Sequence, residues 1–304
     1  MNFNIFNENI GVDGYKKIID KIIFPYPSKS IISEFIDLAL LERFNKTPHM
    51  QFKITKFESQ SKTFPKKSGF SRVRVIRQHE VERFINGNVN ISDFYPPDPK
   101  NIVLCDGRYN DKKNRVMYLS DSPETAEIEC NVQEGDYFLR SQFSLNIPMI
   151  FFSLSKKSNI TKPFIELINS RDSRFYPVIN YLMAHVMRFN NFHGCFYESI
   201  PANKLKKYNK SKTNLVIWEE YIDQVDMEFS FLCHRKDKKT NYLHLFYLNE
   251  NKISGISNIE DPYGTYQKYI EIYNNLRRKT ESIDTINNES LKQYNYPFKI
   301  ISRS

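Results

Sequence analysis

Long apolar runs are missing from this chain. None approaches the ~20 residues that a membrane-spanning helix needs, which excludes a helical span. The opening stretch, MNFNIFNENIGVDGYKK, lacks the charged-then-apolar order of a secretory signal, so a soluble, cytoplasmic protein is expected. Cysteine is scarce. Cys105, Cys130, Cys195 and Cys233 form no CxxC pair, which leaves neither a disulfide framework nor a zinc-ribbon spacing. His193 with Cys195, and Cys233 with His234, each lack a matching second half, so no metal site is expected. There is no GxSxG elbow and no Ser–His–Asp ordering, and a hydrolase triad is therefore unsupported. No internal repeat is evident.

What is present fits a globular protein. Hydrophobic residues make up 40% of the 304, enough for one large core or for a main domain with appendages. The net charge is +9, from 44 Lys+Arg against 35 Asp+Glu. Such an excess attracts nucleic acid or a phosphate-bearing ligand. The basic residues form no long run, however. The densest patches, Lys204 to Lys212 and Arg235 to Lys239, read as solvated loops, and direct nucleic-acid binding is not expected.

Residues 13–45 read as two helices. Ile18, Ile19, Ile22 and Ile23 give the first an apolar face, and Pro25 and Pro27 break it. Ser28 or Ser30 caps the second, whose apolar face carries Phe35, Leu38 and Leu41. Residues 58–69, polar and Lys-rich, suit a linker or exposed loop. FSRVRVI, from Phe70, reads as a strand, and residues 86–101 as a long loop. RVMYLS (115–120) is a second strand. SPETAEIEC (122–130) starts a helix, with Ser122 as cap and Pro123 in the first turn. Further strands are expected at 136–147, 149–154, 195–199, 214–220, 228–233 and 242–248, and helices at 176–189 and around 262–280. In the 176–189 helix Val178, Leu182, His185, Val186 and Phe189 lie along one side. Runs of strands with few helices point to an α+β architecture.

Four stretches carry residues suited to chemistry. GRYN, Gly107 to Asn110, is turn-like, and Arg108 offers the bidentate fork that suits a phosphate. In MYLSDSPETAEIEC, Tyr118 offers a ring to stack on a flat heterocycle, or a core aromatic. Glu127 and Glu129 follow in the helix and point in well-separated directions, so only one easily faces a given cleft. Arg72 and Arg74 share one strand face, suited to a pyrophosphate or to plain solvent. FHGCFYES ends at Ser199, a strand-end hydroxyl able to contact a ligand or simply to terminate the strand. Taken singly, each stretch has an ordinary structural explanation.

Their order along the chain says more. FSRVRV, GRYN, YLSDSPETAEIE, GCFYES and KTNLVIW together resemble the RES family, named for its Arg, Glu and Ser. The match falls on Gly107, Arg108, Tyr109 and Asn110; on Tyr118, Leu119, Thr125, Ala126 and Glu129; on Gly194, Tyr197 and Ser199; and on Asn214, Leu215 and Val216. It covers about residues 70–220 and selects Glu129 over Glu127. A long insertion between Arg72 and Gly107 departs from the family pattern.

The resemblance implies an ADP-ribosyltransferase-like RES domain over 70–220, with a helical N-terminal segment (1–60) and a C-terminal extension (221–304) packed on that core. It implies an enzyme that degrades NAD as substrate, by hydrolysis or with inorganic phosphate as co-substrate, and needs no cofactor. Several such proteins are toxins held by a helix-turn-helix antitoxin. Carried over, Arg108 binds the NAD phosphates with Arg72 and Arg74 assisting. Tyr118 packs on the nicotinamide or its ribose, Glu129 stabilises the growing ribose charge or orients the nucleophile, and Asn110 and Ser199 contact the substrate. Two other classes stay open: an ADP-ribosyltransferase acting on a macromolecule, and a basic nucleic-acid-binding module without catalysis. Water against phosphate, and the oligomeric state, are left open too.

Overall fold

In a computed structural model of the chain, the described residues are 41–43, 52–54, 61–100, 107–110, 114–154, 176, 179–180, 183, 192–199, 201–202, 212–249, 252–261, 264–279, 289, 291 and 297–302. The strands are β1 (Leu41–Arg43), β2 (Phe52–Ile54), β3 (Ser61–Phe64), β4 (Gly69–Val75), β5 (Val116–Ser120), β6 (Tyr137–Leu145), β7 (Met149–Leu154), β8 (Gly194–Glu198), β9 (Thr213–Trp218), β10 (Val225–Lys236), β11 (Lys239–Asn249), β12 (Lys252–Asn258) and β13 (Phe298–Ser302). Three α-helices are fully bounded: α1 (Val81–Ile85), α2 (Pro123–Glu129) and α3 (Tyr266–Lys279). Tyr176, Ile179, Asn180 and Met183 are also helical, as expected for 176–189; Val178, Leu182, His185, Val186 and Phe189 lie outside the described residues.

The architecture is mixed α and β, dominated by one sheet of eleven strands in the order β13-β12-β11-β10-β6-β4-β5-β9-β8-β7-β3. Only β7 and β8 run parallel; the other neighbours are antiparallel. The sheet continues across residue 221, because β10 pairs with β6 from Val225↔Leu145 to His234↔Tyr137.

Both faces of the sheet are buried, and the two-residue period of a strand sorts side chains between them. Leu139, Leu232 and Phe246 enter one core cluster with Phe84, Phe94, Met117 and Leu215. Their neighbours Phe138, Phe231, Cys233, Leu245 and Tyr247 enter the other, beneath Tyr269, Ile272 and Tyr273 of α3. This explains why the strands read as nearly continuous apolar runs rather than clean alternations. No described helix is long and apolar enough to cross a membrane.

Several expectations need correction. Leu41–Arg43 is a short strand paired with Phe52–Ile54, where helix is expected; the rest of the N-terminal pair of helices lies outside the described residues. The expected linker at 58–69 contains β3, which pairs with β7 and sets Phe64 against Phe70 and Phe151 at ring-centroid distances of 5.2 and 5.6 Å. The basic patch Arg235–Lys239 is a tight hairpin, with Asp237 and Lys238 both at positive φ (56° and 60°), as two-residue turns matching strand twist require. The strands β12 and β13 and helix α1 are additional to the elements expected.

Candidate functional site

One pair of neighbouring strands barely touches. β4 pairs along its length with β6, yet meets β5 at a single position, Ser71↔Ser120. Where β4 and β5 diverge, a cleft of about 380 Å³ opens, within the ~300–1,000 Å³ usual for ligand pockets. Its wall includes Arg72 on β4, Tyr118 on β5, Glu129 and Cys130 at the end of α2, Gly107, Arg108 and Asn110 of the turn, and Tyr176, Tyr197 and Asn214. Five of the seven residues singled out from sequence thus face one space: Arg72, Arg108, Asn110, Tyr118 and Glu129.

The turn bearing Arg108 is held from several sides. The Gly107 N–H donates to the Asn110 carbonyl over 2.9 Å. The Tyr118 hydroxyl accepts from the Tyr109 N–H (3.0 Å) and donates to Asn110 Oδ1 (3.3 Å). Asn180 Nδ2 donates to both the Gly107 and Asn110 carbonyls, at 3.1 and 2.8 Å. Tyr109 is buried beside Tyr118 and Tyr197, with ring centroids 6.1 and 5.4 Å away. A Cβ at Gly107 would stand 2.2 Å from Asn110 Oδ1 and would displace that side chain from its bond with Tyr118.

With its backbone fixed, Arg108 projects a guanidinium whose buried Nε has no hydrogen-bond partner among the described residues. Burial opposes its charge, but Tyr109, Tyr197 and Glu129 around it turn the net pKa shift upward. Tyr118 presents its ring to the cleft while its hydroxyl is committed to the turn; burial pushes that phenol up. The amide oxygen of Asn110 is likewise committed to the turn.

Helix α2 aims the carboxylate. Ser122 caps it, accepting from the Thr125 N–H at 3.1 Å, and Pro123 occupies the first turn. Two residues along a helix are ~200° apart, so Glu127 and Glu129 diverge. Glu127 is buried on the side away from the cleft and ion-pairs with Arg140 (3.3 Å) and Arg235. Glu129 reaches the cleft, where its Oε1 accepts from Asn214 Nδ2 at 2.7 Å. Asn214 Oδ1 in turn accepts from the buried Ser120 hydroxyl at 2.6 Å.

Arg72 donates from Nη1 to the Phe94 carbonyl (2.8 Å) and has no ion-pair partner among the described residues. Burial pulls its pKa down to about 10, with Cys130 opposing and Arg74 adding to the shift, so it is charged at neutral pH. Phe94 belongs to the long insertion after β4, so this segment braces an arginine of the cleft.

Arg74 and Ser199 do not join this wall. Arg74 binds Asp93 (2.8 Å) and Glu80 (3.1 Å) instead. Arg83 also holds Asp93. Burial alone would raise that carboxyl, but Arg83, the Asn90 N–H and Arg74 bring it below its ordinary value. The fully buried Ser199 uses its hydroxyl as a local cap, accepting from the Ala202 N–H at 3.2 Å. Its contact is set by the following Pro201 and Ala202, both helical.

Two further residues shape the site. Asn180 interrupts an apolar helical stretch, and a polar side chain in such a place is itself a signal. Asn214 stands in the sequence only as the start of a strand motif. Among the described residues, no group of histidine, cysteine and carboxylate side chains is placed to hold a metal. Compared with known proteins, the chain matches no family model, no curated protein and no solved structure.

Proposed function

We propose that this chain is an NAD-degrading enzyme that cleaves the nicotinamide–ribose bond. One observation carries the reading: Arg72 and Arg108, both without ion-pair partners among the described residues, line the same cleft as the hydrogen-bonded carboxylate of Glu129. Two cations without a direct carboxylate contact among the described residues suit an anionic ligand, and a pyrophosphate satisfies both through bidentate contacts. A carboxylate beside them suits a sugar carbon that becomes positive as its bond breaks.

In this reading Arg108 and Arg72 bind the diphosphate. The rings of Tyr118 and Tyr197 flank the nicotinamide ribose. The C–N bond breaks with its electron pair leaving on the nicotinamide, which becomes neutral and needs no strong acid. Glu129 stabilises the oxocarbenium-like sugar electrostatically. Water or inorganic phosphate then adds to the same carbon. Asn110 holds the turn rather than the substrate, and Arg74 and Ser199 have no part, since other groups occupy them.

The same reading includes an ADP-ribosyltransferase-like RES fold around the cleft, supported by the five ordered motifs. It includes a cytoplasmic toxin restrained by a helix-turn-helix antitoxin, which rests on that resemblance alone. Purified protein is incubated with NAD, with and without phosphate, and nicotinamide release is followed. Wild type should release it, and Arg108→Ala and Glu129→Ala should not. Absence of release by wild type, or release by Arg108→Ala and Glu129→Ala as great as by wild type, removes the proposal. Labelled NAD that marks a protein or nucleic acid instead would favour a macromolecular ADP-ribosyltransferase.

A further inference from the structure

Glu129 is anchored to the strand opposite, not to its own helix. The amide of Asn214 is 3% exposed and bonded at both ends: its nitrogen donates to Glu129 Oε1 at 2.7 Å, and its oxygen accepts from Ser120 at 2.6 Å. A side-chain amide has a donor end and an acceptor end, and its orientation follows from its partners. A carboxylate only accepts, so the nitrogen must face Glu129 and the oxygen must face Ser120. The carboxylate therefore sets the direction of the amide, and the Ser120 hydroxyl, able to donate or accept, donates to the oxygen left facing it and holds that end in place. Ser120 and Asn214 are also directly opposed across β5 and β9, which fixes the pair to the sheet. Ser120 is in addition the one point at which β4 meets β5, the hinge of the cleft.

We infer that Asn214 is a positioning residue: it holds one oxygen of Glu129 so that the other is presented to the cleft, and Ser120 anchors the far end of its amide. The inference rests on the reading of Glu129 as the acting carboxylate. It assigns to the N-L-V strand a purpose beyond packing. Both polar ends of the amide are already bonded to Glu129 and Ser120, so its loss chiefly frees the carboxylate to rotate, and the effect falls on turnover more than on binding.

The test compares Asn214→Leu, Ser120→Ala and Ser120→Thr in the full chain, by nicotinamide release from NAD and by thermal melting. One charge-assisted hydrogen bond corresponds to a rate effect of about 10- to 100-fold. Asn214→Leu should lower kcat by that factor, with KM for NAD within about twofold. Ser120→Ala should lower kcat by about tenfold, and Ser120→Thr, which restores the hydroxyl, should recover most of the loss. The double variant Asn214→Leu/Ser120→Ala should be no worse than Asn214→Leu alone, because Ser120 acts through the amide. Unchanged kcat in Asn214→Leu, a rise in KM in place of a fall in kcat, or additive losses would each overturn the inference. If wild type releases no nicotinamide, the NAD reading fails, and the side-chain amide proton signal of Asn214 decides separately. That signal should move in Glu129→Ala and in Ser120→Ala but not in Glu127→Gln. A signal indifferent to Glu129 and Ser120 overturns the network.

Discussion

Replacing Asn180 should open the turn that carries Arg108. The Asn180 amide donates to the carbonyls of Gly107 and Asn110, at 3.1 and 2.8 Å, from a buried helical position. Asn110 O keeps a second donor, the Gly107 N–H, so one carbonyl loses a shared partner and the other its described one. At about 1 kcal/mol net per hydrogen bond the loss is about 2 kcal/mol. Stranding the Gly107 carbonyl adds roughly 1 kcal/mol, and alanine returns roughly 0.5 kcal/mol as the better helix former. A net of about 2–2.5 kcal/mol remains, on the order of a 30-fold change in the balance between held and released turn. Asn180→Ala should therefore lower kcat/KM for NAD by about tenfold or more, with a Tm drop of roughly 4–8 °C if the turn unfolds with the core. Asn180→Asp is the sharper perturbation: equal in size, it sets carboxylate oxygens against two carbonyl oxygens and should be worse than alanine. Steady-state kinetics and a melting curve on each variant suffice. Wild-type kcat/KM and Tm in Asn180→Ala, or an aspartate variant better than alanine, would refute the clamp.

The two α2 carboxylates should separate stability from activity. Glu127→Gln breaks a buried pairing with Arg140 and Arg235 and should cost about 2–3 kcal/mol in urea unfolding. Glu129→Gln should leave unfolding nearly unchanged while abolishing nicotinamide release, and the reverse pattern would contradict the assignment. His244 should make the fold acid-sensitive. Its buried ring donates from Nε2 to the Ile85 carbonyl at 2.7 Å, and burial lowers its pKa. The unfolded chain binds a proton near pH ~6.5 that the folded chain refuses, so this stability is full above that pH and declines below it. Urea midpoints should fall as pH drops through that region, with a flatter decline in His244→Gln. Gly194→Ala should fail outright, because a Cβ there lies 1.8 Å from the Val216 carbonyl oxygen across β8 and β9. Far-UV circular dichroism should show a loss of native structure, and a normal melt would refute the close approach.

The sequence makes local structure readable and long-range pairing largely unreadable. β4, β5, α2 and β9 stand where period, cap and proline place them, and the Ser122 cap forms as its position before Pro123 suggests. Those rules act within a few residues. That β4 pairs along its length with β6 but touches β5 once depends on strands far apart in the chain, and this decides where the cleft opens. Arg235 illustrates the same limit. Among Lys and Asp neighbours it reads as solvated, yet the hairpin brings it to Glu127, 108 residues away. Arg74 and Ser199 satisfy a motif pattern, but nearer partners, Asp93 with Glu80 and the Ala202 N–H, occupy their polar groups.

Net charge carries a related lesson. A surplus of +9 fixes no location. In the fold, Arg74, Arg83, Arg115, Arg140 and Arg235 each meet a carboxylate. A buried guanidinium without such a partner costs several kcal/mol of desolvation, so the fold gains nothing in stability from keeping one. Arg72 and Arg108 are nevertheless kept, one held by a single carbonyl and the other with its Nε unpartnered, and both face the same cleft. Among the described arginines that are not solvent-exposed, the others meet carboxylates while these two line one cavity, which supports the proposed anionic ligand. In the proposed reading Glu129, held against the far strand by Asn214, faces the electron-poor centre to which that anion is attached. It is that pairing of charges, more than the overall basicity, on which the proposal of a dinucleotide over nucleic acid in general rests.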